Sequence, residues 1–241
     1  MIPKKIHQIY FNLHDKEIED IPLFNTSRKR IQELHPDYEY KLWTEDECNR
    51  LVATQLPSCF DFYKSMRYDI QRIDYMRFVL LHLFGGIYAD LDLIPIQKFD
   101  RVLDRVFFAN TLKGLIPNHN EYVQNDFMGS VKGFPLWQHL LTHCPSNYQQ
   151  KASMEVYDVR KARFVLQTTG PRYFSRILKM AMPKYKPDSS LVFTKWKNEN
   201  WKGVDRKTYL VENYVSCSWA HSVSEKLYIK DTFYINEYFF P

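Results

Sequence analysis

Residues 69–95 read DIQRIDYMRFVLLHLFGGIYADLDLIP, and this stretch decides how the chain is organised. Apolar Ile70, Ile73, Val79, Leu80, Leu83 and Phe84 recur at steps of three and four, the period of a helix. Gly85 then stands where a left-handed residue closes a helix. After Gly86, the run Ile87 to Ile94 alternates up to Pro95. Tyr88, Asp90 and Asp92 fall on one face, and Ile87, Ala89, Leu91 and Leu93 on the other. The spacing predicts a helix, a tight glycine junction and one continuous strand that carries two carboxylates on one side.

That pair is unusual, because Asp is depleted in strands and two like charges at i and i+2 repel. A cation between them relieves the repulsion, and aspartate oxygens suit hard divalent ions such as Mg²⁺ and Mn²⁺. Two solvated carboxylates at the end of an edge strand would produce the same short pattern, so the pair alone does not decide.

The 241 residues suffice for one large domain with a proper core, and residues 1–241 read as a single domain without repeat or linker. The net charge of +5 suits a small anionic ligand and is too dispersed for a nucleic-acid surface. Aromatic content is 16%, which fits an aromatic-lined cleft or an aromatic core. The four cysteines show no CxxC spacing, so reduced thiols are expected. The opening MIPKKIHQIYF lacks the apolar run of a signal peptide, and no window is apolar enough to span a bilayer. These features lead to an expectation of a soluble, cytoplasmic protein whose contact with membranes is at most peripheral.

Along the chain, Lys5 to Phe11 reads as a strand, Leu23 to Leu34 as a helix and Tyr38 to Trp43 as a strand. Thr44 and Glu47 form a capping box for a helix from Glu45 to Ala53. Further strands are expected at Arg105 to Ala109 and Phe127 to Val131. Helices are expected at Pro135 to Thr142, Tyr157 to Leu166 and Arg172 to Met180. The final residues hold short aromatic runs at 191–193, 209–211, 214–218 and 233–240. Alternating strands and helices define an α/β chain with a central, mostly parallel sheet flanked by helices. Ligands of such sheets gather at the carboxyl ends of the strands, where Asp90 and Asp92 would lie.

The sequence lacks the glycine-rich loops that cradle phosphate and the HExxH and GxSxG signatures. With seven glycines in all, phosphates would have to be held by side chains and a metal.

Five blocks in order carry a resemblance. They are MIPKKIHQIYF (1–11), HPDYEYKLWTEDEC (35–48), IDYMRFVLLHLFGGIYADLDL (73–93), NDFMGSVKGFP (125–135) and TTGP (168–171). They resemble glycosyltransferase family 32, the DxD-containing sugar transferases typified by initiating α-1,6-mannosyltransferases and α-1,4-galactosyltransferases. The central block is also similar to the large clostridial glucosylating toxins. The resemblance covers most of the chain and implies a GT-A-type nucleotide-sugar-binding fold. It also implies a divalent ion (Mn²⁺ or Mg²⁺), a nucleotide-sugar donor, a glycan or glycoconjugate acceptor and retention of configuration at the sugar. UDP-glucose or UDP-galactose is the expected donor, with GDP-mannose as the alternative. A nucleotide-sugar-binding protein without turnover and a metal-dependent nucleotidyltransferase or phosphodiesterase are the rival classes.

Carried over by position, the resemblance makes Asp92 a metal ligand and places Asp90 on the metal and ribose. Asp74 and Arg77 would hold the donor sugar, and Tyr88 would line its pocket. Ile9 and Tyr10 would contact the nucleoside, although Tyr10 replaces the usual Trp. Gly86 would sit on the donor side, Asn125 and Asp126 near the reacting carbon, and Thr169 in the pocket wall. Phe134 replaces the family's His, which leaves no polar role there. Near the C-terminus, Trp219 would lie by the diphosphate and His221 would be the third metal ligand, in reverse of the common order.

Overall fold

A computed structural model describes residues 1–12, 16–110, 123–152, 158–184, 192–196 and 209–213. Eight strands and seven α-helices occur among them. The first half follows the expected alternation closely: β1 (Lys5–Tyr10), α1 (Pro22–Leu34), β2 (Glu39–Thr44) and α2 (Glu45–Gln55). The Thr44–Glu47 capping box is formed. An unforeseen helix, α3 (Pro57–Ser65), starts on Pro57, because Pro is well accommodated in the first helical turn. Then come α4 (Asp69–Leu83) and β3 (Gly86–Ala89).

The strand expected from Ile87 to Ile94 is not continuous. It ends at Ala89, Asp90–Asp92 form a turn, and β4 (Leu93–Pro95) begins in a different sheet. The turn closes through the Leu93 amide to the Asp90 carbonyl at 3.2 Å, while the Asp90 amide donates to the Asp126 carbonyl at 2.8 Å. A turn separates the two carboxylates and lets each meet solvent or a ligand, which a shared strand face would not.

Beyond this come β5 (Phe107–Asn110), β6 (Val123–Ser130), α5 (Pro135–Lys151), α6 (Asp158–Thr168), α7 (Pro171–Ala181), β7 (Val192–Trp196) and β8 (Tyr209–Asn213). Helix α5 extends well past the expected Thr142 and runs through Pro145. The aromatic runs at 214–218 and 233–240 lie outside the described residues.

The main sheet has the order β2-β1-β3-β6-β5. Strands β2, β1 and β3 are parallel, and β6 and β5 are antiparallel to their neighbours. The parallel part is where helices intervene between strands, as parallel pairing requires. Between β3 and β6 no α-helix occurs among the described residues, and the pairing reverses. A second sheet, β4-β8-β7, packs beside it.

Helix α4 is the centre of the molecule. From Ile70 through Leu81 every residue is buried, so it has no solvated face and its polar residues need internal partners. It packs in the larger core with Tyr63, Met128, Trp137, Phe164 and Phe174. Gly85 (φ 66°) and Gly86 (φ 94°) then turn the chain into β3. A Cβ would meet the Lys132 nitrogen at 2.4 Å from Gly85 and the Lys5 oxygen at 2.6 Å from Gly86. Three backbones converge there, and a side chain at either glycine has no room.

Candidate active site

The site lies where β3 gives way to the acidic turn, at the carboxyl end of the parallel strands. Arg77 is its hub, with 6% of its surface exposed. Its Nη1 lies 2.9 Å from Asp74 Oδ1, and Nη2 lies 2.9 Å from Asp90 Oδ1. Nε donates to the Tyr88 hydroxyl at 3.2 Å, and Nη1 also donates to the Asn125 carbonyl at 3.2 Å. Tyr88 OH in turn donates to Asp90 Oδ1 at 2.5 Å. One guanidinium thus ties together α4, β3, the acidic turn and β6. An exposed pair at i and i+3 would contribute only a few tenths of a kcal/mol; this buried and branched arrangement is of another kind.

Behind Arg77, Asp74 is 3% exposed. Besides Arg77, its carboxylate accepts from Asn125 Nδ2 at 3.0 Å and from Thr169 Oγ1 at 3.0 Å. Burial pushes the Asp74 carboxyl upward, and Arg77, Thr169 and Asn125 oppose that. Arg77 itself is held firmly charged, because the Asp90, Tyr88 and Asp74 contacts outweigh its burial.

In front of Arg77, the Asp90 side chain is 21% exposed. Lost solvation holds its carboxyl well above the usual range, Arg77 works against this, and Asp92 and Asp126 add repulsion. Asp126 is pushed up to about 6 by burial and then by the charge of Asp92. Asp92 is half-buried. Three carboxylates therefore repel one another at one sheet edge.

Such a set fits a hard divalent cation. Its donors are all oxygen, Asp90 keeps free acceptor capacity beyond Arg77 and Tyr88, and a cation would lower the repulsion that raises Asp90 and Asp126. Among the described residues no three His, Cys, Asp or Glu side chains converge closely enough to hold a metal by themselves. The set is therefore incomplete. The expected further ligand, His221, and Trp219 lie outside the described residues.

The structure brings together Asp74, Arg77, Tyr88, Asp90, Asp92, Asn125 and Asp126. Continuing the pairing of His7 with Tyr88 brings Ile9 level with Asp90, and Tyr10 is half-exposed at the end of β1, its hydroxyl donating to the Lys16 carbonyl. Four of the expected site residues make their contacts within the protein. Gly86 stands at the opposite end of β3, about 13 Å from Asp90 at strand rise, and serves the backbone crossing rather than the site. Asp74 is enclosed by its three donors, Arg77, Asn125 and Thr169. Asn125, 2% exposed, spends its amide on Asp74 and its carbonyl on Arg77. Thr169 is wholly buried and backs Asp74.

Two residues escaped the sequence reading. Gln8, on β1, is fully buried; its Nε2 reaches the Asp90 carbonyl at 3.3 Å and Ser27 Oγ at 3.2 Å. Ser27, on α1, donates to the Leu93 carbonyl at 2.6 Å. Together they hold both ends of the acidic turn. The available signal was a glutamine between the apolar Ile6 and Ile9 of β1, since a buried amide must have partners.

The arrangement of these elements is the GT-A glycosyltransferase fold. It is shared with the PaToxG glycosyltransferase at TM-score 0.52 and 18% identity, over 76% of this chain and 70% of that one. The UDP-bound glycosyltransferase domain of the YGT toxin superposes with TM-score 0.51 at 9% identity, over 75% of this chain and 77% of that domain. At such identities the likeness speaks for the fold alone. Residues 22–109 of the chain match the model of the glycosyltransferase sugar-binding region containing DXD motif. Among its relatives is the mannosyl phosphorylinositol ceramide synthase SUR1 of Saccharomyces cerevisiae, 31% identical across 90% of this chain and 56% of that protein. Another is inositol phosphoceramide mannosyltransferase 2 of Schizosaccharomyces pombe, 26% identical across 88% of this chain and 62% of that protein. The chain thus spans little more than half the length of these relatives. No helix among the described residues is long and apolar enough to cross a membrane.

Proposed function

We propose that this chain is a divalent-metal-dependent glycosyltransferase that moves a hexose from a nucleotide-sugar to a hydroxyl acceptor with retention of configuration. The observation that carries the reading is the buried Arg77, which joins Asp74 to Asp90 directly over the acidic turn at the sheet edge. Relatives named for mannosyl transfer to inositol phosphoceramide weigh towards mannose, for which GDP-mannose is the proposed donor and a lipid-borne or glycan hydroxyl the proposed acceptor. UDP-glucose and UDP-galactose are the competing donors.

Asp92 and the open side of Asp90 would hold Mn²⁺ or Mg²⁺, with His221 as the third candidate. The cation, when bound, supplies charge to offset a leaving diphosphate. Arg77 fixes the Asp90 carboxylate in place, so that little reorganisation is needed on binding. By the family resemblance Ile9 and Tyr10 would contact the nucleoside, and Trp219 is the candidate for the diphosphate. Asp126, whose backbone carbonyl accepts from the Asp90 amide, is the candidate for a role near the reacting carbon.

The test is incubation with Mn²⁺ and each nucleotide-sugar in turn, with nucleotide release and sugar transfer to an inositol-phosphoceramide or oligosaccharide acceptor as readouts, for wild type and Asp92→Ala. Loss of turnover in a folded Asp92→Ala protein is expected. Equal turnover by both sinks the proposal, and cleavage between the phosphates identifies a nucleotidyltransferase or phosphodiesterase instead.

A further inference from the structure

The α6–α7 junction touches the site from behind. Thr168 ends α6 and Thr169 follows it in the turn, and both are completely buried. Their hydroxyls face α4 one turn apart. Thr168 Oγ1 accepts from Gln71 Nε2 at 2.8 Å and donates to the Phe164 carbonyl at 2.7 Å. Thr169 Oγ1 lies 3.0 Å from Asp74 Oδ2 and 3.5 Å from the Val165 carbonyl. The two rungs differ in kind. The first joins neutral groups and serves docking only, since neither member reaches the acidic turn. The second ends on a carboxylate.

A hydroxyl has a single proton to donate. At Thr169 the shorter approach is to Asp74, and a bond to a carboxylate is the stronger of the two available. Asp74 thereby gains a third donor on the oxygen that Arg77 and Asn125 leave open, since both of those approach Oδ1. An enclosed carboxylate keeps its charge only with such donors. Its charge and rotamer in turn fix where Arg77 Nη1 lies, and Arg77 Nη2 reaches Asp90. The path is therefore Thr169, Asp74, Arg77, Asp90, with each step a direct contact.

We infer that Thr169 is a positioning residue for the transferase site, acting through Asp74 on the Arg77–Asp90 pair without touching the substrate. This rests on the glycosyltransferase reading above. It assigns the hydroxyl a role distinct from packing, and it places a control point for the acidic turn in a helix junction far along the chain.

The experiment measures metal-dependent nucleotide release and thermal unfolding for wild type, Thr169→Val, Thr169→Ser, Asp74→Asn, the Thr169→Val/Asp74→Asn double variant and Gln71→Leu. Valine keeps the volume and removes the hydroxyl. A drop of about 10- to 100-fold in kcat/KM is expected, the range of a hydrogen bond to a charged group. The loss should appear mainly in kcat, since no substrate contact is removed. Serine should restore most of it. In the Asp74→Asn background the valine change should cost nothing further, because the path is already cut. Gln71→Leu should lower the unfolding temperature and leave kcat/KM near wild type.

Undiminished activity in Thr169→Val overturns the inference. So does an equal loss from that change with and without Asp74, or a serine variant as impaired as valine. Should Asp74→Asn fail to fold, the serine and valine comparison decides. Absence of turnover in wild type under all donors is a failure of the functional reading itself, and is told apart by the wild-type assay alone.

Discussion

Replacing Arg77 by Met tests whether the guanidinium organises the site as a buried hub. The substitution keeps an unbranched apolar side chain of similar reach but removes the charge from between Asp74 and Asp90, along with donors to the Tyr88 hydroxyl and the Asn125 carbonyl. Asp74 is 3% exposed and cannot recruit water. Asp90, at 21% side-chain exposure, can do so in part and contributes less. Breaking a buried pair by removing one partner costs about 3–5 kcal/mol, against about 0–1 kcal/mol for a surface pair. With a urea m-value of about 3 kcal/mol per M, a loss near 4 kcal/mol lowers the midpoint by about 1.3 M. The loss depends on pH with a definite sign. Without Arg77 both carboxyls rise further above their unfolded values, near 4. A raised carboxyl stabilises the fold below its unfolded value and ceases to do so as pH rises through its folded value. The gap between wild type and variant is therefore widest near pH 8 and narrows towards pH 4. Urea unfolding at pH 8, 6 and 4.5 measures it. A gap under about 1 kcal/mol at pH 8, or one that does not change with pH, refutes the hub.

Asp126→Asn should raise stability at pH 8 by roughly 1–3 kcal/mol and leave it unchanged near pH 4, because its carboxyl is pushed up to about 6; turnover should fall, and differential scanning calorimetry with an activity assay reads both. His7 donates through Nε2 to the Gly85 carbonyl at 2.9 Å and accepts from the Trp43 indole at Nδ1, 3.2 Å away, so the protonated ring has no acceptor for its second N–H. Burial lowers His7 to about 4, which makes the fold lose up to about 3 kcal/mol as pH falls from 6.5 to 4; in His7→Gln that part of the urea-midpoint profile should flatten. Gly85→Ala should cost more than the 1–2 kcal/mol of a left-handed alanine, since its Cβ would lie 2.4 Å from a backbone nitrogen; a stable, soluble variant contradicts this. Gln8→Leu should leave the fold intact within about 2 kcal/mol and reduce turnover several-fold, because the amide holds the Asp90 carbonyl.

Much of this architecture was legible because local signals agreed with the global pattern. The capping box at Thr44, the glycines after α4 and the periodicity of its apolar residues each rest on neighbouring residues alone. The break after Ala89 was not legible: Asp90 to Ile94 keeps strand alternation, and only pairing with β6 on one side and β8 on the other separates β3 from β4. Helix α3 was hidden because a proline signals the end of one element as readily as the start of the next, and here Pro57 is a start. In the site, Asp90 and Asp92 stood out because two carboxylates sat in an apolar run, whereas Asp74 and Arg77 were singled out by the family resemblance. Their depth order did not stand out. Whether Asp74 fronts a cleft or backs Arg77 depends on Asn125 and Thr169, which lie 51 and 95 residues further on. Gln8 and Ser27 gave no charge to notice, and their role is set by a tertiary contact.

The change of sheet at the acidic turn has a thermodynamic consequence. Leu93, which follows Asp92, pairs with Asn213 at the end of β8, and Ile94 pairs with Glu212. Strand β4 is only three residues long, so its hold on β8 depends on how firmly the turn before it is fixed. A ligand that orders Asp90–Asp92 therefore also works on the second sheet. At a hundredfold excess over its Kd such a ligand adds about 2.7 kcal/mol to every opening that disrupts its site. The amides of β8 should thus exchange with solvent more slowly when metal and nucleotide-sugar are bound, although β8 supplies none of the carboxylates. The acidic turn is in this sense a point of linkage, where occupancy of the site is exchanged for cohesion between two sheets.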